Sequence, residues 1–154
     1  MDAVTEATVY ERRLSIGASP ETVWEFFVDP DKLKRWKGIR AELDPRAGGG
    51  YECEVIPGHV ARGEFVELDR PRRLVYTWGW DGNEDVPPGS STIVVELAAD
   101  GDGTMLTFAH KNLPTAEAVQ SHAHGWDHYL PRLELAAAGG DPGDDPWVSQ
   151  PPSM

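Results

Sequence analysis

Positive charge is what this sequence has too little of: 14 Lys and Arg stand against 26 Asp and Glu, a formal net charge of −12. Phosphate backbones and anionic bilayers recruit proteins through a surplus of Lys and Arg on one surface, so neither nucleic acid nor a membrane surface is expected as partner. The one basic cluster, Arg70, Arg72 and Arg73 around Pro71, reads as a solvated turn between strands. Long apolar runs are missing too. None approaches the roughly 20 residues that span a bilayer, and MDAVTEATVY has neither the basic nor the apolar region of a signal peptide. Cytoplasmic residence is the expectation. Cysteine is nearly absent: Cys53 stands alone and cannot form an internal disulfide. Its place between Glu52 and Glu54 disfavours a thiolate. No phosphate loop, dinucleotide fingerprint, nucleophile elbow or zinc-ligand pattern occurs, so no cofactor is expected.

What is present fits one domain of 154 residues with 40% hydrophobic residues and six Trp to bury. The stretch Pro114 to Ala138 reads as a single long helix of roughly 35 Å. Val119, His122, Ala123, Trp126, Tyr129, Leu130, Leu133 and Ala137 recur at three- and four-residue spacing along one face. Pro131 lacks the amide that would bond the carbonyl of Asp127, and a kink is expected there. The same period separates His122 from His124 and His128. No matched third ligand accompanies that pair, so the histidines read as one apolar-face residue and a solvated face, with no metal.

Upstream, residues 6–16 read as a first strand with one wet face. Ser19-Pro20-Glu21 is a helix start, with Val23, Trp24, Phe27 and Val28 as its apolar face; Asp29-Pro30 ends that helix, and a second runs from Asp31 to Trp36. From Ile39 onward IRAELD, YECEVIP, HVARGEFVELD, RLVYTWGW, STIVVELAAD and GTMLTFAHKNL are strands joined by Gly-, Pro- and Asp-rich turns, which makes an antiparallel sheet. The fold class is therefore α+β: two short helices after strand 1, then about six or seven strands in all, wrapped on a long C-terminal helix. Residues 139–154, rich in Gly, Pro and Asp, read as a flexible acidic tail following a domain of residues 1–138.

These pieces, in this order, resemble a known family. Ser19-Pro20-Glu21 with Val23-Trp24, Asp29-Pro30 with Leu33 and Trp36, and Gly49-Gly50-Tyr51 carry the first half of the likeness. Gly63 to Glu67, Arg73 to Trp78, Gly103-Thr104 through His110, and Gly125-Trp126 carry the second. The chain is similar to the START-like SRPBCC superfamily, in its branch named for the activator of heat-shock protein 90 ATPase. The resemblance implies the helix-grip fold shared with birch-pollen allergens and, between sheet and helix, a cavity for a hydrophobic small molecule.

The residues expected to line that cavity are Trp36 near its mouth, Phe65, Tyr76 and Trp78 on adjacent strands, and His122, Trp126 and Tyr129 on the helix. The functional expectation is a module binding a hydrophobic or aromatic ligand. Two alternatives stay open beside it. A polyketide cyclase- or aromatase-like enzyme would use the same cavity, with His122, Tyr76 and Glu67 moving protons. A protein-binding, co-chaperone-like domain would use the outer face of the sheet, and a weak homodimer or other protein partner stays open with it.

Overall fold

The computed structural model describes residues 9–152. Among them the first helix, α1 (Pro20–Val28), begins as its residues dictate: the Ser19 hydroxyl accepts from Thr22 N at 3.3 Å, with Pro20 and Glu21 in the first turn. Asp29 then serves two helices. It ends α1, and its carboxylate accepts from Asp31 N at 2.9 Å to open the four-residue α2 (Pro30–Leu33). Val23, Trp24, Phe26 and Phe27 bury one side of α1.

Seven strands form one antiparallel sheet: β1 (Tyr10–Ile16), β2 (Arg40–Leu43), β3 (Gly50–Ile56), β4 (His59–Asp69), β5 (Arg73–Trp78), β6 (Ser91–Asp100) and β7 (Gly103–Lys111). The order across the sheet is β1-β7-β6-β5-β4-β3-β2. The two short helices carry the chain from one edge to the other, which is why β1 pairs with the last strand rather than with β2. Register shifts at Glu54/Ile56 and Phe65/Glu67 add the local bends that let the sheet curve. The first strand was expected from residue 6; it begins at Tyr10, and residues 6–8 lie outside the described residues.

Alternation sorts the two faces of the sheet. Tyr51, Phe65, Leu74, Tyr76, Trp78, Ile93, Val95, Leu106 and Phe108 point into the main core. The outer face carries a small apolar patch of Val75, Val94 and Ala109. Around it lie ion pairs such as Arg73 with Glu67 and Glu96.

The long helix, α3 (Ala116–Ala137), starts on the Thr115 hydroxyl, which accepts from Ala118 N at 3.0 Å. It continues unbroken through Pro131. A final short helix, α4 (Pro146–Ser149), sits in the segment after it. None of the described helices is long and apolar enough to cross a membrane.

Candidate functional site

The helix α3 is gripped along only half its length. Trp126, Tyr129, Leu130, Leu133, Ala136 and Ala137 are buried, and no residue from Ala116 to Gly125 is. Beneath that raised half opens a cleft of about 770 Å³, within the range that holds a small organic ligand. Trp78, Trp126, Tyr129 and Lys37 lie toward its interior, Val55 and Ile56 contribute a wall, and Trp80 with the loop from Asp81 to Asp85 forms one rim.

That loop is held by short-range bonding. Asn83 Oδ1 accepts from Asp85 N at 2.8 Å and Val86 N at 3.0 Å, and Trp80 N donates to Val86 O at 2.8 Å. Gly79 is what lets the loop close: a Cβ there would lie 1.7 Å from Pro87 O. Arg62 anchors Asp81 at 2.7 Å.

Behind the rings runs a neutral hydrogen-bonded chain. Trp126 Nε1 donates to His110 Nδ1 at 3.0 Å, leaving His110 Nε2 to donate to Ser91 Oγ at 2.8 Å; Ser91 in turn donates to Trp78 O at 2.7 Å. Burial, together with the neighbouring His122 and Lys37, holds the His110 pKa well below the usual imidazole range. His122 is saturated likewise: its Nε2 accepts from Trp80 Nε1 at 3.0 Å, and its Nδ1 lies 2.7 Å from Ala118 O. Burial lowers its pKa, partly opposed by the Ala118 contact. Both rings are therefore neutral spacers that orient indoles.

Lys37 is the exception to the neutrality. Only 1% exposed, its Nζ donates to Tyr51 Oη at 2.7 Å and meets no carboxylate among the described residues. Four rings surround it instead: Nζ lies 4.5 Å from the Trp78 ring centre, 4.9 Å from Trp126, and 5.4 Å from both Trp36 and Tyr51. The negative faces of such rings offset part of the cost of burying the charge. Burial still pulls the Lys37 pKa down to about 8, opposed by Cys53. The inward aim comes from Gly38, whose φ of +101° turns the chain and whose Cβ would meet Cys53 Sγ at 2.6 Å.

Of the expected lining residues, Trp78, His122, Trp126 and Tyr129 meet around this cleft. Phe65 and Tyr76 lie deeper, packed in the core with Tyr51. Trp36, expected near the mouth, is fully buried, its Nε1 donating to Phe26 O at 2.9 Å. The trio proposed for proton transfer is not assembled: Glu67 points outward to Arg73, while Tyr76 stacks on Tyr51 at 4.5 Å.

Lys37, Trp80, His110 and Trp147 are what sequence reasoning left out of the site. For Trp80 a signal existed, since Tyr76, Trp78 and Trp80 alternate along one strand direction. Trp147 belongs to the segment read as a flexible tail, and in the structure that segment lies against α3. Its indole stacks on His128 at 3.8 Å and 9°. Asp145 accepts from Tyr129 Oη at 2.6 Å, from His128 Nε2 at 2.8 Å and from Trp147 N at 3.0 Å. Burial alone would raise the Asp145 pKa, but these donors bring it below the usual carboxylate range. The helix face expected to be solvated is thus covered at His128, while His124, 5.1 Å from the Trp147 ring, stays exposed. A second, more polar cleft of about 540 Å³ lies between residues 34–39 and this segment.

The family described as Activator of Hsp90 ATPase homolog 1-like protein matches residues 17–138. An AHSA1-like protein from Rhizobium etli, solved in solution, is 45% identical; the likeness covers 90% of this chain and 87% of that one, with a TM-score of 0.73. The crystal structure of CalU16 from Micromonospora echinospora is 27% identical, covering 85% of this chain and 75% of its own at a TM-score of 0.66. The Aha1 dimer from Colwellia psychrerythraea, 20% identical over 86% of this chain and 97% of its own, shares the fold at a TM-score of 0.75. No curated protein matches the chain significantly.

Proposed function

Because the chain belongs to the family of Activator of Hsp90 ATPase homolog 1-like proteins, we propose that it shelters a hydrophobic or aromatic small molecule in the cleft between the sheet and α3. The observation that carries this reading is the raised N-terminal half of α3 over a space of about 770 Å³ bordered by Trp78, Trp80, Trp126 and Tyr129. Rings of this size offer large contact area with little rotamer entropy to lose, and apolar, aromatic-lined clefts are the usual form of a small-molecule site.

Binding is favoured over turnover by the bonding of the imidazoles. A general base needs a free lone pair facing the substrate; His110 and His122 spend both nitrogens on protein partners. A co-chaperone role drawn from the family's name would call for a broad apolar or charge-complementary patch on the outer sheet face. There the apolar group is Val75, Val94 and Ala109, bordered by ion pairs.

Native mass spectrometry of freshly purified protein, followed by titration of the stripped protein with 2-naphthamide, tests the reading. A co-purifying small molecule, or naphthamide binding in the micromolar range that quenches tryptophan fluorescence, supports it. A bare chain together with no binding of naphthamide or of its anionic counterpart 2-naphthoate up to solubility would remove it.

A further inference from the structure

The donors at the inner end of the cleft are not matched by acceptors. An ammonium group has three N–H donors, and Lys37 spends one on Tyr51 Oη. Trp78 Nε1, in the same wall, is buried with no acceptor among the described residues. The neighbouring indoles of Trp80 and Trp126 are not in this position, because each donates to a histidine. A buried cation without a counter-ion and a buried N–H without an acceptor therefore border the same space, and each is costly to leave so.

We propose that the inner end of the cleft is an oxyanion site, at which an aromatic ligand places a carboxylate or phenolate oxygen against Lys37 Nζ and Trp78 Nε1. The inference rests on the ligand-binding reading above and narrows it to anionic aromatic molecules. A neutral carbonyl would satisfy the hydrogen bonds but leave the ammonium uncompensated, and a cationic group would be repelled. An oxyanion does both tasks, through charge-assisted hydrogen bonds in a site shielded from water.

The mouth has the opposite sign. Glu84 and Asp85 border it, both exposed, and the chain as a whole carries a net charge of −12. These exposed charges are screened beyond about 8 Å at physiological salt, whereas the buried ammonium is not. The ligand is therefore oriented with its anionic end inward and an uncharged end at the mouth. Any preference for anions must arise locally, since the overall field opposes it.

Calorimetric titration with three naphthalenes at neutral pH and physiological salt tests the site: 2-naphthoate, its neutral isostere 2-naphthamide, and naphthalene-2,6-dicarboxylate. Naphthoate should bind about tenfold or more tightly than the amide, the range expected of a charge-assisted bond. The dicarboxylate, forced to leave one charge at the acidic mouth, should bind more weakly than naphthoate. Lys37→Met should abolish the preference for naphthoate, lowering naphthoate affinity far more than naphthamide affinity, and Trp78→Phe should reduce the preference severalfold. Equal affinity of naphthoate and naphthamide for the unaltered protein overturns the oxyanion site and leaves the cleft reading intact; no binding of either removes both. A preference undiminished in folded Lys37→Met would also overturn it, and should that variant not fold, Lys37→Gln and the unaltered protein decide.

Discussion

The two halves of α3 are built from the same pattern and behave differently. From Trp126 to Ala137 the apolar stripe sinks into the sheet, with Leu130 and Leu133 fully inaccessible. From Ala116 to Gly125 the stripe is present as Val119, His122 and Ala123, yet none of these is buried. The difference lies in what faces them. The packed half joins the main core, and its polar atoms are matched, Trp126 Nε1 by His110 and Tyr129 Oη by Asp145, so the helix closes down until it reaches core density. The raised half faces Trp78, Trp80 and the Lys37 ammonium, wide rings and a charge that no aliphatic stripe can cover without loss. An amphipathic period thus says which face turns inward; the chemistry of the opposing surface decides whether it closes.

The sharpest contrast between the halves is a cavity on one side. Leu133→Ala, in the packed half, should lower unfolding free energy by about 2–5 kcal/mol in urea titrations. A loss near zero would mean that this half is as loosely held as the other. Lys37→Met comes next and has the opposite sign. The Lys37 pKa of about 8 in the folded chain lies below its ordinary 10.5, so the folded protein carries a penalty that is full below about pH 8 and is relieved as pH rises toward 10.5. The facing groups, Tyr51 and Cys53 on β3 and His110 on β7, are common to both proteins. Methionine should therefore stabilise by roughly 3 kcal/mol below pH 8, less what the lost Tyr51 bond and ring contacts contribute. Denaturant midpoints measured across pH should show that advantage shrinking as pH climbs; a constant or growing advantage would contradict a buried, depressed lysine.

Two smaller effects probe the cover and the open half themselves. Trp147→Ala removes the indole stacked on His128 and should cost about 1 kcal/mol. Faster amide exchange from Asp145 to Ser149 would accompany it, and unchanged exchange would mean that the segment is not held by this ring. Gly125→Ala adds a methyl where, beyond the helix's own adjoining backbone, no side chain or other segment lies within 4 Å. It should raise stability by up to about 1 kcal/mol through helix propensity alone, whereas a decrease would place hidden packing beneath the raised half.

Much of the frame was legible because it follows from local rules. The strands His59–Asp69 and Ser91–Asp100 were read to the residue from alternation between turn signals. Ser19-Pro20 marked the start of α1 for equally local reasons. The candidate site was legible in part: Trp78, His122, Trp126 and Tyr129 were expected to line one space, and all four border the same cleft. Lys37 was not readable, because lysine is ordinarily solvent-exposed and only long-range packing brings Tyr51, Trp78 and Trp126 around it. Trp36 was misplaced at the mouth for a related reason: its bond to Phe26 O depends on how α1 and α2 pack. The contacts after Gly140 hinge on Asp145, whose partners Tyr129 and His128 lie on α3, and composition alone reads such a Pro- and Asp-rich stretch as loop.

The six indole N–H signals offer the most direct test of a ligand in the cleft, observed by ¹H–¹⁵N correlation spectra during titration of labelled protein with 2-naphthoate. Trp78, Trp80 and Trp126 border the space, whereas Trp24 is packed into the core from α1 and serves as an internal control. Binding as proposed moves the Trp78 signal farthest downfield, as its unpaired N–H gains an acceptor, with smaller shifts at Trp80 and Trp126 and none at Trp24. Saturable binding that leaves Trp78, Trp80 and Trp126 in place would contradict a ligand site between the sheet and α3.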